Sequence, residues 1–263
     1  MPKIRDLFNQ LKQQNKKAFI PYLTYGFPNL GVFEQTVLAI AKTGVDAIEI
    51  GMPFSDPIAD GPVIQRSSQI ALEKGATLPG LLLTLKKLRR KVDAPFILMT
   101  YYNPVFYMGD NSFCRKAKGI IDALVVPDLL PEEGRSLNDH CRKYGIDTVF
   151  FIAPTTDLGR YGLIDKNSSG FIYYVSVTGT TGSRNKFDGA LYKKIAAAKA
   201  KVKGPVCVGF GISTHEQVKR FCRVADGVIV GSAIIKFIDE NHKQKNFIDK
   251  LQRFIVDLKG KEK

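Results

Sequence analysis

Short, almost continuous apolar runs alternate along this chain with longer stretches in which apolar positions recur every three or four residues. The runs are AFIPYLT (18–24), DAIEI (46–50), PFILMTYY (95–102), DALVV (122–126), TVFFI (148–152), FIYYV (171–175), PVCVGF (205–210) and DGVIVG (226–231). Strands this apolar on both faces are those of a parallel sheet covered by helices. Helical periodicity fills the gaps, as in 30–44, 78–92, 131–145 and 214–224. Gly44 and Gly145 stand at the ends of two of these stretches, where helices stop. Eight strand–helix repeats in 263 residues predict an α/β fold with one domain over 1–263. The expected form is a single (β/α)8 barrel, with a helix at residues 1–14 covering its floor. The rival, a doubly wound open sheet, would carry GxGxxG at its first strand–helix turn, and no such motif is present.

A barrel of this kind holds its active site at the C-terminal ends of the strands and in the loops after them. In DAIEIGMPFSDPIADGPVIQ (46–65), Glu49 interrupts an apolar strand near its end. Ile48 and Ile50 face the helices, so Glu49 faces the barrel interior. No Lys or Arg lies on the neighbouring strand ends to pair with it. An unpaired buried carboxyl favours its protonated form, which suits a proton-transfer group. Asp60 precedes a helical stretch and reads equally as a helix N-cap or a site residue. Asp56, in SDP, reads equally as a turn residue. Glycine-rich turns follow the last three strands: VTGTTGSR (177–184), GFGIS (209–213) and GSAI (231–234). Glycines let backbone N–H groups approach a phosphate, and loops after strands seven and eight are the recurring phosphate site of such barrels.

Composition narrows the function classes. The formal charge of +14 is large, but the Lys and Arg residues are scattered over helical stretches rather than gathered in a stripe with aromatics. Nucleic-acid binding is therefore not expected, while the charge would help to steer a phosphorylated substrate. The four cysteines, Cys114, Cys141, Cys207 and Cys222, form no CxxC pair and are expected to be reduced. The three histidines fall in amphipathic stretches, which leaves acid–base chemistry to carboxylates, tyrosines or lysines. No apolar run is long enough to span a membrane, and charges interrupt residues 1–17 where a signal peptide needs an apolar stretch. The expected location is the cytoplasm.

The segment IEIGMPFSDPIADGP (48–62) closely resembles the signature of tryptophan synthase α chains. The resemblance covers the whole chain, through PYLTYGFP (21–28), LMTYYNPV (98–105), VVPDLLPEE (125–133), YYVSVTGTTGSR (173–184), GFGIS and VGSAI (230–234) in order. It implies retro-aldol cleavage of indole-3-glycerol phosphate, with Glu49 as the acid–base group and Asp60 accepting the indole N–H. It implies that Tyr173 lies near Glu49, and that Tyr22, Thr24, Tyr101, Ile64 and Leu129 line the indole end. Thr181 is implied to close over the site onto Asp60, and Gly182, Phe210, Gly211, Gly231 and Ser232 to form the phosphate pocket. Pro53 and Asp56 are implied to face a β subunit in an αββα assembly. Pyridoxal phosphate would belong to that β subunit, with no cofactor or metal in this chain. Thr180 stands where many members have valine, a departure expected to change little. A related phosphosugar barrel enzyme would share the glycine turns but not the Glu49–Asp60 pair within SDPIADG. A non-catalytic activator would have lost Glu49, Asp60 or Thr181, and all three are present.

Overall fold

Eight parallel strands close into a barrel in sequence order, with β8 returning to β1. They are β1 (Ala18–Thr24), β2 (Ile48–Gly51), β3 (Phe96–Met99), β4 (Ala123–Val125), β5 (Asp147–Ile152), β6 (Ile172–Val175), β7 (Val206–Gly209) and β8 (Gly227–Val230). The computed structural model describes residues 4–175 and 189–260. Around the strands lie α1 (Ile4–Gln13), α2 (Leu30–Ala41), α3 (Pro62–Glu73), α4 (Leu78–Leu88), α5 (Tyr102–Met108) and α6 (Asp110–Ala117). The outer layer continues with α7 (Arg135–Tyr144), α8 (Tyr161–Asn167), α9 (Gly189–Ala200), α10 (His215–Cys222), α11 (Ser232–Asn241) and α12 (Phe247–Lys259). The nearly unbroken apolar strands are buried along their length, as sheets covered by helices require.

Local chemistry fixes the helix ends. The Asn29 side chain accepts the Val32 N–H at 3.0 Å and caps α2. Thr214 and Gln217 form a reciprocal capping box on α10. Gly145 ends α7 in the left-handed conformation, with φ 73°. On the floor, α1 buries Ile4, Phe8 and Leu11, and Phe8 meets Phe171 just before β6 at 5.8 Å between ring centroids. The expected floor helix is therefore present. The strand starts are tied by charged groups. Arg89 pairs with Asp122 at 2.6 Å, and the same Asp122 oxygen accepts the Phe96 N–H at 2.9 Å.

The chain departs from the expected pattern after β3. Residues 100–102 were expected to extend that strand, but it ends at Met99, and α5 and α6 fill 102–117. A tertiary contact and a glycine account for this: Asp128, after β4, accepts the Tyr102 N–H at 2.9 Å, and Gly109, with φ 80°, breaks the stretch into two helices. At the seam between first and last repeats, α12 lies against α2. Gln252 donates to the Ala39 carbonyl at 3.1 Å, and Lys259 donates to the Gly44 carbonyl. All four cysteines are free thiols. Among the described residues, no helix is long and apolar enough to cross a membrane.

Candidate active site

Glu49 sits on β2 with Tyr22 of β1 and Ile97 of β3 as its register partners. It is fully buried, and neither carboxylate oxygen has a hydrogen-bond partner among the described residues. Burial, followed by the nearby negative charge of Asp60, raises its pKa to about 8. Glu49 therefore holds its proton at neutral pH.

Asp60 ends the loop after β2. Its carboxylate accepts the Tyr101 hydroxyl at 3.1 Å, and its carbonyl accepts the Gln65 side chain at 2.9 Å. Burial raises its pKa to about 6, against the opposing effect of the Tyr101 hydrogen bond. The N-cap alternative for Asp60 is overturned: Gly61 is the N-cap of α3, without a side-chain cap bond, and Pro62 opens the helix. Two carboxyls of unequal acidity thus lie close enough to influence each other. One is protonated and one mostly ionised near pH 7, the pattern by which environment assigns acid and base roles.

Two tyrosines flank this pair. The Tyr22 ring occupies the space into which any side chain at Gly51 would project, and it also packs on Gly231. The Tyr173 ring does the same at Gly209, and it contacts Phe151 and Phe210 at 4.9 and 5.8 Å between centroids. Burial, first of all, pushes both phenols well above their usual range, so they stay neutral. Strand-end glycines therefore set how close these rings come to the barrel wall. No sequence pattern foretells that relationship, because it depends on the register between neighbouring strands.

The remaining positions divide by location. Ile64 on α3 and Leu129 after β4 are buried apolar residues at the same end of the barrel. The Thr24 hydroxyl lies 2.6 Å from Ser67, which donates to the Ile64 carbonyl at 2.8 Å. Thr24 thus ties β1 to α3, and Ser67 was not singled out in the sequence. Phe54, also unanticipated, stacks on Tyr101 at 5.0 Å.

A family model for the tryptophan synthase alpha chain matches residues 8–262. The chain belongs to that family. It is 42% identical over 260 residues to the tryptophan synthase alpha chain of Geobacter sp. (strain M21), covering 98% of this chain and 97% of the relative. Among solved structures, tryptophan synthase subunit alpha from Legionella pneumophila str. Paris superposes with a TM-score of 0.89 at 32% identity, covering 98% and 97% of the two chains. A chain of the tryptophan synthase complex from Pyrococcus furiosus gives 0.84 at 36% identity, over 92% and 97%. As a member, this chain is a carbon–carbon lyase of tryptophan biosynthesis, cleaving indole-3-glycerol phosphate to indole and glyceraldehyde 3-phosphate.

The other family positions can be located on this barrel. Phe210 and Gly211, after β7, both take positive φ, 73° and 76°. Phe210 is non-glycine, so that conformation is strained and held by its surroundings. After β8, Gly231 caps α11 without a side-chain cap bond, and Ser232 and Ala233 precede the first intrahelical bond, from the Ile234 N–H to the Gly231 carbonyl at 2.9 Å. These two turns are the parts that could hold a phosphate. Thr181, Gly182 and the neighbouring Thr180 lie outside the described residues. On the loop after β2, Asp56 is exposed and accepts the Ser55 hydroxyl at 2.5 Å, whereas Pro53 is buried within this chain. Among the described residues, no group of three or more His, Cys, Asp or Glu side chains is gathered to hold a metal.

The rim carries a feature that sequence reading missed. Ile58, Phe106, Tyr107 and Leu130 are exposed apolar residues on the segments after β2, β3 and β4, and Tyr107 is 94% exposed. The available signal was an apolar residue at a loop or short-helix position, which single-sequence periodicity reads as core. A cleft of about 870 Å³ on the outer side of the β2 loop is lined by Phe54, Asp56, Ile58 and Arg66, among others.

Proposed function

We propose that Glu49 and Asp60 carry the cleavage of indole-3-glycerol phosphate in this chain. The observation that supports this best is the buried, unpartnered and protonated Glu49 beside a more acidic Asp60. Cleavage needs a proton delivered to the indole carbon bearing the side chain, giving an indolenine. The adjacent side-chain hydroxyl must then lose its proton as the carbon–carbon bond breaks. A protonated Glu49 gives the first proton, becomes a carboxylate, and takes the second, ending as it began. Asp60 accepts the indole N–H and stabilises the positive charge that develops on the ring. Tyr22, Tyr101, Tyr173, Ile64 and Leu129 enclose the ring, with Thr24 behind them. The turns at Phe210–Gly211 and Gly231–Ser232 hold the phosphate by backbone N–H groups.

The partner is a tryptophan synthase β subunit in an αββα assembly, and pyridoxal phosphate is that subunit's cofactor, this chain needing none. The exposed apolar residues Ile58, Phe106, Tyr107 and Leu130, on the segments after β2, β3 and β4, suit a protein interface. Asp56 lies on the same loop as Ile58 and joins that surface. Pro53, on the same loop, is buried within this chain.

Indole release from indole-3-glycerol phosphate, assayed with and without a β subunit, tests the reading. Slow release that accelerates with the partner supports it. A folded chain that releases no indole in either condition overturns it.

A further inference from the structure

Tyr101 follows β3, and its single phenolic proton is donated to Asp60 at 3.1 Å. The same oxygen accepts the Ala59 N–H at 3.0 Å, and the ring stacks on Phe54 at 5.0 Å with an interplanar angle of 24°. One side chain therefore holds both ends of the loop that runs from Phe54 to Asp60. Its own backbone is held in turn, because the Tyr101 carbonyl accepts the Thr100 hydroxyl at 3.2 Å and Asp128 accepts the next N–H. A phenol serving only as apolar wall would need none of these bonds, and phenylalanine would fill the same space.

We propose that Tyr101 is a positioning residue, orienting the Asp60 carboxylate and pinning the 54–60 loop through its hydroxyl. The proposal rests on the reading of Asp60 as a catalytic group. The other titratable groups that interact across this cavity are Glu49 on β2, Tyr22 on β1 and Tyr173 on β6, with Asp128 acting on Tyr101 from the segment after β4. Of these, Tyr101 is the one that hydrogen-bonds the Asp60 carboxylate and draws its titration downward.

The test is Tyr101→Phe, which keeps the ring stack and removes the hydroxyl, assayed with a β subunit across pH. A lost hydrogen bond to a charged group predicts a fall in kcat/KM of about 10- to 100-fold, mostly in kcat. The acid limb of the pH profile should move to higher pH. In an Asp60→Asn background the same substitution should cost little more, because its effect passes through Asp60. An unmoved acid limb with kcat/KM within about twofold of the parent, or a full additional loss in the Asp60→Asn background, overturns the proposal. Full cleavage by Asp60→Asn alone overturns the reading of Asp60 and the proposal together. Should Tyr101→Phe fail to fold, 3-fluorotyrosine at 101, a stronger donor, should move the acid limb to lower pH, and no movement overturns the proposal.

Discussion

The Tyr22 ring lies in the space where a side chain at Gly51, on the adjacent strand β2, would stand. Gly51→Ala should therefore push Tyr22 out of the wall of the site. Overpacking of this kind costs about 1–3 kcal/mol, so urea unfolding should report a loss in that range. Cleavage should fall further than stability does, because the displaced ring stands next to Glu49. A variant with parental stability and rate would show that the ring can be accommodated elsewhere.

Glu49→Gln should abolish indole release while leaving affinity for indole-3-glycerol phosphate and for the β subunit largely intact. Calorimetric titration of substrate and partner against the variant checks both halves. Strong residual cleavage would remove Glu49 from the proton-transfer role.

The same variant should be more stable than the parent, and increasingly so as pH rises. Folded Glu49 titrates near pH 8, whereas its ordinary value is 4.5. Between these values the folded chain keeps a proton that the unfolded chain releases, so the parent loses stability as pH rises through the window. At pH 7 the difference amounts to roughly 3 kcal/mol, to which glutamine is immune. Urea midpoints at pH 5 and pH 7.5 for both proteins measure it, and parallel midpoints would count against a protonated Glu49.

The rate should follow a bell in pH. Protonation of Asp60 removes the acceptor for the indole N–H, so kcat/KM should fall below about pH 6. Ionisation of Glu49 removes the proton donor, so it should also fall above about pH 8. Asp60→Asn should lose most of the activity and the acid limb with it. A persistent acid limb in that variant would assign the lower limb to another group.

Much of this site could be read from residue order, and the rest could not for identifiable reasons. Strand alternation suffices to turn Glu49 inward between Ile48 and Ile50, and the lack of a nearby base suffices to expect its proton. The β1 run at 18–24 is the strand observed, bounded by Lys16 and Lys17 before it and by Gly26, with φ 77°, just after it. Asp60 was ambiguous, because a carboxylate before a helix serves as cap or ligand with the same local sequence. Its partner Tyr101 lies 41 residues away, and only the barrel brings the two together. The glycines beneath Tyr22 and Tyr173 were invisible as well, since side-chain space is shared between strands whose register the chain does not spell out. The strand end at Met99 was misjudged because aromatic residues favour strands, and the Asp128 bond to the Tyr102 backbone overrides that preference.

The hold of α12 on α2 bears on the order in which the molecule assembles. The bonds from Gln252 to Ala39 and from Lys259 to Gly44 join residues 213 and 215 positions apart, about as non-local as contacts in a chain of this length can be. Loop closure over such separations is entropically late, so β1 waits for β8, and α2 for α12. Until then, β1 lacks a neighbour along one edge and Tyr22 lacks Gly231 to pack on. The burial that keeps the proton on Glu49 thus depends on closure of the barrel, and partly folded chains that stop short of closure should be catalytically silent.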